Sequence, residues 1–373
     1  MCGDGGVRIR ELHLVDFRNL ASVGLSLEAR DHFFLGANGQ GKTALLEGCG
    51  LITALRSFRT NDLKTTIRRE GAGEAGLRVV LEHERRGDTE IAIRLARKSK
   101  QVVVDGEKLT RLQELMGQFP MVAISSQDIQ LLRGGPGERR RFLDLLMAGA
   151  RGDYYHLVRQ FHQALKERNA LLKKRVGGAQ RRAFEIELCA SGVALHAARK
   201  EVLAALAEDL RTVYSAFAPA AEGPSLEYRP DLAMESVDQY RKALDDSKER
   251  DELLQTTTRG PHRDDLTLRL NARPAKDFGS EGQQRGLVIA LKLAAVRWLR
   301  RELSVAPVIL ADDVLNELDG PRREAFWRAL DPDLQILATG TEVPRGKPVG
   351  GWFFWSVEEG SVSPLETIEE RNS

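Results

Sequence analysis

Apolar and polar residues alternate from residue 7 to 15, around Val7, Ile9, Leu12 and Leu14, and Phe33-Phe34-Leu35 stops abruptly at a glycine. Period-two alternation and short apolar runs cut by turn residues predict strands feeding a sheet. A helix is expected to start near Lys42. Leu77 to Leu81, Ile91 to Leu95 and Val102 to Val104 predict further strands, and Asp105-Gly106 closes the last on a hairpin turn. This section reads as antiparallel.

From Glu138 to Gln255 the period lengthens: Tyr155, Val158, Phe161 and Leu165, then Phe184, Leu188, Leu195, Val202, Leu206, Leu210 and Val213, recur at helical spacing among many charges. Gly177-Gly178 and the stretch from Pro219 to Pro230 divide this insert into about three helical pieces, the longest roughly 40 Å at ~1.5 Å per residue. Sustained heptads are missing, which argues against a long coiled coil. After Thr258 the short strands return, at Leu266 to Leu270, Val308 to Ala311 and Gln335 to Ala338, with a helix from Gly282 to Leu303; the Trp352 to Trp355 run reads as a terminal strand. The pattern predicts one α/β domain built from residues 1–137 and 256–373, carrying a compact helical lobe at 138–255.

Composition narrows the function. The 373 residues are 42% hydrophobic and carry 56 basic against 54 acidic side chains, so nucleic-acid binding must come from local charge clusters. Cys2, Cys49 and Cys189 are too few and too scattered for a disulfide framework or a zinc site. The N-terminus lacks a basic-then-apolar leader, and the most apolar stretch, Gly286 to Leu299, is interrupted by Lys292 and Arg297. A cytoplasmic protein without membrane contact is expected.

Gly36-Ala37-Asn38-Gly39-Gln40-Gly41-Lys42-Thr43 fits G-x-x-x-x-G-K-[ST] between an apolar strand and a helix. In such a loop Gly36, Gly39 and Gly41 let backbone N–H groups turn toward phosphates, Lys42 neutralises β/γ charge, and the Thr43 hydroxyl ligates Mg²⁺. Pro307 to Asp313 is an apolar run ending in paired acids. There Asp312 would hold Mg²⁺ through its water shell, and Asp313 would orient or deprotonate the attacking water. Gly279-Ser280-Glu281-Gly282-Gln283 opens a long helix, where Ser280 serves equally well as an anion site or as a plain N-cap.

The order of these segments, ending in Asn316-Glu317-Leu318-Asp319, resembles the P-loop ABC-type ATPase heads of chromosome-maintenance and double-strand-break repair proteins. Within that class the chain is similar to the RecF family of bacterial recombination mediators. The likeness is carried also by Asp16-Phe17-Arg18-Asn19, Arg56-Ser57-Phe58-Arg59, Gly134-Gly135-Pro136, Arg139 to Asp144 and Gly260 to Leu266. It implies a head that dimerises around two ATP, with Ser280, Gly282 and Gln283 of one copy reaching the γ-phosphate held by Lys42 of the other. It places Asn38 and Gln127 near the hydrolytic water, and Arg18 or Phe17 near the nucleotide. It implies a weak, DNA-stimulated ATPase switch that clamps double-stranded DNA near single-strand gaps and at single/double-strand junctions. The partners implied are RecR, then RecO, and indirectly RecA, whose loading the protein would assist.

The chain departs from the pattern of the family or of the wider class in four places, the last of which, a threonine, the RecF family also tends to carry. Gly279 precedes the signature serine where an apolar residue is usual, and Gln127 stands where related repair proteins often have an acid. Asp313 replaces the more usual glutamate, and Thr339-Gly340-Thr341 stands where the wider class has a switch histidine. An alternative class, the ATP-binding subunit of a transporter, would need helices coupling to a membrane partner. Four basic clusters are candidates for a phosphate backbone or for solvated faces. They are Arg85-Arg86 with Arg94, Arg97, Lys98 and Lys100; Arg139 to Arg141; Lys166, Arg168 and Lys173 to Arg175; and Arg297, Arg300 and Arg301. His262 reads as structural or DNA-proximal.

Overall fold

A computed structural model describes residues 6–54, 57–60, 62–111, 114–176, 178–217, 222–343 and 351–365. Cys2, Arg56, Gly177 and Pro219 lie outside the described residues. The first elements are β1 (Val7–Phe17), β2 (Leu20–Ser26), β3 (Asp31–Leu35), α1 (Lys42–Ala54), β4 (Glu74–His83), β5 (Gly87–Ala96), β6 (Lys100–Val104), β7 (Glu107–Lys108) and β8 (Met121–Ser125). Helices α2 (Gln130–Arg133), α3 (Pro136–Ala150), α4 (Gly152–Lys173) and α5 (Ala179–Tyr214) follow, then β9 (Pro224–Arg229), α6 (Val237–Asp246) and α7 (Lys248–Leu254). Next come β10 (Asp265–Leu270), β11 (Arg273–Pro274), α8 (Ala275–Phe278), α9 (Glu281–Leu303) and β12 (Val308–Asp312). The last are α10 (Gly320–Arg328), β13 (Ile336–Gly340), β14 (Trp352–Glu358) and β15 (Ser361–Pro364).

The chain folds as two units, one from the residues up to Asp128 together with those from Lys292 onward, the other from Ile129–Leu291. The dividing points thus differ from 137/138 and 255/256. Residues 256–291 fold with the lobe because β10 pairs with β9, and because Asp264 and Asp265 bind arginines of the lobe helices.

Two six-stranded sheets make the first unit. One is antiparallel in the order β2-β1-β4-β5-β6-β7; the other runs β15-β14-β3-β13-β12-β8, parallel except for β15. In β1 the buried positions go from Ile9 to Leu12, and the pairing with β4 slips between Ile9 and Glu11, so a bulge absorbs the break in alternation. The Asp105-Gly106 turn has positive φ at both residues (48° and 84°), the geometry of a two-residue hairpin loop. Strands β12 and β13 are buried along their whole length, which explains their unbroken apolar runs. The core joins Leu12 and Leu14 of β1, Leu45, Leu46, Cys49 and Ile52 of α1, and Leu310 and Leu337 of the parallel sheet. Buried Gln335 adds a polar tie, accepting from the Ile9 amide (2.7 Å) and donating to its carbonyl (3.1 Å).

Among the described residues, the stretch expected to hold about three helical pieces has five helices, α3 to α7, and β9 lies between Pro219 and Pro230. Helix α5 alone has 36 residues, about 54 Å at ~1.5 Å per residue, longer than the expected 40 Å. No proline interrupts it, and Gly192 lies where a β-carbon would meet the Tyr240 ring at 2.5 Å.

Two stretches that carried the family likeness meet inside this unit. Arg199, 2% exposed, donates to Asp144 (2.9 Å) and to Asp264 (3.1 Å). Tyr154 also donates to Asp144, Tyr228 donates to Asp264, and Arg139 forms a fork onto Asp265 (2.6 and 3.0 Å). His262 is half-buried, its Nε2 on the Thr257 carbonyl (2.9 Å), and desolvation pulls its pKa down to about 4. It is a neutral packing residue at physiological pH.

Removing one member of such a network strands buried charges. Arg199→Met is expected to destabilise the protein by about 3–5 kcal/mol, because two carboxylates lose their cation. Urea unfolding checks this, and a loss below about 1 kcal/mol would contradict it.

Candidate functional site

Five parallel strands end on one edge, where Leu35 lies beside Gly340 and Asp312 beside Ser125. Ligands of open α/β sheets collect at the carboxyl ends of the strands. The glycine-rich loop leaves β3 there. A β-carbon on Gly36 would strike the Val357 carbonyl oxygen at 2.3 Å, and Gly41 turns at φ 116°, so neither position tolerates a side chain. Helix α1 then starts at Lys42 with its first amides facing the loop.

Lys42 is 3% exposed. Its Nζ donates to the carbonyls of Gly36 (2.7 Å) and Ala37 (3.1 Å) and lies 3.9 Å from Asp313 Oδ1. Thr43 Oγ1 donates to Asp312 Oδ1 (2.9 Å), and Thr339 donates to the same oxygen (3.0 Å) while accepting from the Asp313 amide (2.9 Å). Burial pushes the Asp312 carboxyl above the usual aspartate range; the two hydroxyls oppose that rise and the neighbouring Asp313 charge adds to it. Asp313 has a left-handed backbone (φ 54°), and its buried Oδ1 has no hydrogen-bond partner. Strain and an orphaned acceptor at one residue mark a functional position.

A cleft of about 570 Å³ opens over the loop, within the size range of small-ligand sites. Arg18, Asn38, Gly39, Gly41, Lys42, Thr43 and Asp313 all line it, with Asn19, Arg59, Arg68, Arg69 and Glu70 among the others. Arg18 forms a fork onto Glu47 (2.6 and 2.8 Å) and reaches the Thr65 carbonyl (2.9 Å). Glu47 is fully buried on α1; it also accepts from Ser57 and lies 3.5 Å from Arg59. The sequence reading missed Glu47. The available signal was a lone acid in the otherwise apolar helix after Lys42.

The remaining candidates are not among the residues lining this cleft. Gln127 follows β8 on the same sheet edge and is exposed, but it does not line the cleft. Phe17 is buried in the core of the first unit. Ser280, Gly282 and Gln283 belong to the other unit, at the start of α9. There Ser280 accepts from the Gln283 amide (3.3 Å) and Gln283 accepts from the Ser280 amide (2.8 Å), a reciprocal capping box. Gln284 ties this turn down, donating to the carbonyls of Ala275, Lys276 and Gly279 at 3.0–3.1 Å.

Each expected basic cluster has at least one arginine already paired. Arg94 pairs with Glu74, Arg85 with Glu84, and Arg300 with Asp331 and Asp333. Arg139 is bound to Asp265, and Arg168 is 1% exposed, paired with Asp251 and Glu185.

No family model matches the chain. It is 34% identical over 372 residues to the DNA replication and repair protein RecF of Geobacter metallireducens, covering 96% of this chain and 100% of that one. It is 31% identical over 357 residues to RecF of Acaryochloris marina, covering 90% and 93%. A solved structure of the recombination mediator protein RecF with ATP, from the RecFOR pathway, superposes with a TM-score of 0.88 at 25% identity over 96% of this chain and 98% of that one. The Smc head domain of Pyrococcus furiosus shares the fold, with a TM-score of 0.54 at 15% identity over 96% of each chain.

Asp312 provides a test of the site's electrostatics. A carboxyl raised in the folded state costs stability as pH climbs from its ordinary value, about 3.9, through the raised one. Asp312→Asn keeps an acceptor for both hydroxyls and removes the ionisation. Without nucleotide, this variant is expected to melt at a higher temperature than the parent at neutral pH, with the gap closing at and below about pH 4. A variant that melts lower at neutral pH would disprove the assignment.

Proposed function

The chain belongs to the RecF family of DNA replication and repair proteins, and from that membership we propose that it is an ATP-controlled clamp on DNA. The carrying observation is the Lys42 ammonium, held in the cleft by two loop carbonyls and by no carboxylate closer than 3.9 Å. Triphosphate oxygens are stronger acceptors than carbonyls, so Lys42 turns to them when ATP enters. Arg59, with one long contact to Glu47, is freer to follow than Arg18, whose fork is complete.

The residues fit a magnesium ion. Thr43 keeps its lone pairs while donating to Asp312, and two neutral hydroxyls hold the raised Asp312 carboxyl. Among the described residues no group of three or more His, Cys, Asp or Glu side chains could hold a metal, which suits a cation completed by phosphates and water. Magnesium, when bound, neutralises charge between the β- and γ-phosphates. Asp313 offers its unpartnered Oδ1 to the attacking water. Its short side chain on a strained backbone suits slow turnover, as a switch requires.

In this reading two copies close on two ATP. The Ser280 hydroxyl, already accepting from Gln283, retains its proton to donate to the γ-phosphate held by the other copy's Lys42. Glu281 would repel phosphate, but Arg285 pairs with it at 3.0 Å. Closure grips double-stranded DNA near a single-strand gap, and hydrolysis removes the bridging charge and releases it. Family likeness assigns the hydrolytic water to Asn38, which lines the cleft, and to Gln127, which lies outside its lining; RecR, RecO and indirectly RecA are the partners. The transporter alternative draws no support from family membership; no described helix is long and apolar enough to cross a membrane.

Light scattering with saturating MgATP, with and without duplex DNA, tests the shared site. Lys42→Met is expected to stay monomeric and to lose ATP binding. Ser280→Arg is expected to bind ATP as the parent does yet remain monomeric. Dimerisation of Ser280→Arg with ATP would overturn the shared-site mechanism.

A further inference from the structure

The buried Arg168–Glu185 pair (3.0 Å) pins α4 to α5, and the chain between them forms the end of a helical hairpin. From Asn169 to Phe184 that end carries five basic residues and no acid. Arg181 is spoken for, bound to Glu252 (2.8 Å) and near Glu185 (3.4 Å). Lys173, Lys174, Arg175 and Arg182 are exposed and make no ion pair among the described residues. The first turn of α5 has no acidic residue either.

This end gathers four such cations between Lys173 and Arg182, whereas the β5–β6 turn has Arg97 and Lys98 exposed in the same way. Across the outer face of the antiparallel sheet, Arg78 bridges Glu11 and Glu90 (both 2.8 Å) and Arg94 meets Glu74 (2.5 Å). Of the basic clusters in the sequence, most have arginines that already hold carboxylates or backbone carbonyls. Uncompensated like charge costs stability through self-repulsion, and an external polyanion removes that cost.

We infer that the end of the α4–α5 hairpin, through Lys173, Lys174, Arg175 and Arg182, is a contact site for the phosphate backbone of duplex DNA. The inference rests on the clamp reading and adds to it the surface that meets the duplex. Flexible lysines and arginines on an exposed turn carry no geometry for reading bases, so the contact is sequence-independent. Each phosphate neutralised releases counterions, and binding weakens linearly in log-salt with a slope near −0.9 per contact.

The experiment is duplex binding by the full chain with MgATP, measured by fluorescence anisotropy from low to moderate salt. The quadruple variant Lys173→Gln, Lys174→Gln, Arg175→Gln, Arg182→Gln is expected to bind more weakly, with a salt slope shallower by about 2 to 4. Its basal ATP hydrolysis is expected to match the parent's, and its melting temperature to be no lower, since self-repulsion is relieved. A control, Lys242→Gln with Lys248→Gln, alters exposed lysines elsewhere on the lobe and is expected to keep the parental slope. An unchanged slope in the quadruple variant overturns the inference, as does an equal change per charge in the control. Loss of poly-L-glutamate binding with duplex binding intact would assign the surface to an acidic polypeptide instead and also overturn it. If the parent itself fails to bind duplex, the clamp reading falls rather than this surface alone.

Discussion

One carboxylate oxygen, Asp312 Oδ1, joins three segments of the site. It accepts from Thr43 at the start of α1 and from Thr339 on β13, residues separated from it by 269 and 27 positions in the chain. Thr339 in turn receives the Asp313 amide, which fixes the strained turn that presents Asp313 to the cleft. The loop, the acidic strand and the neighbouring strand are thereby held in one geometry before any ligand arrives. Burial of this carboxyl opposes its ionisation, so the site holds an anion at some cost to the unliganded fold.

Buried charge elsewhere obeys the same rule that a desolvated ion needs a complete set of partners. Glu47 is fully buried but receives the Arg18 fork and the Ser57 hydroxyl. Arg199 has Asp144 and Asp264, and Arg168 has Asp251, Glu185 and the Thr257 hydroxyl. These sets fix helices and loops in position more than they add stability. They also remove from the surface many arginines that would otherwise attract nucleic acid, and the α4–α5 turn keeps its charge by contrast.

Both six-stranded sheets can be traced to local pattern in part. The alternation in β1, its break between Ile9 and Leu12, and the Asp105-Gly106 turn each have a direct local cause, and β12 shows as an apolar run because both its faces are covered. Strands β2, β8 and β9 escaped the sequence reading. Ala21, Ser22, Gly24 and Ser26 dilute β2, and β8 is only five residues beside two helical turns. In β9 a proline begins the strand, and its identity depends on pairing with β10, about forty residues later.

The sequence alone determined the phosphate loop with Lys42 and Thr43, the paired acids Asp312 and Asp313, the capped helix at Ser280 and the helical character of the lobe. Each is written in adjacent residues, because backbone turns, caps and periodicity are short-range physics. Only the tertiary structure decided that Glu47 would hold Arg18, that Thr339 would brace both aspartates, and that Arg139, Arg168 and Arg199 would be buried ties. Those outcomes depend on which distant carboxylate meets each charge once water is excluded, and no local spacing encodes that meeting.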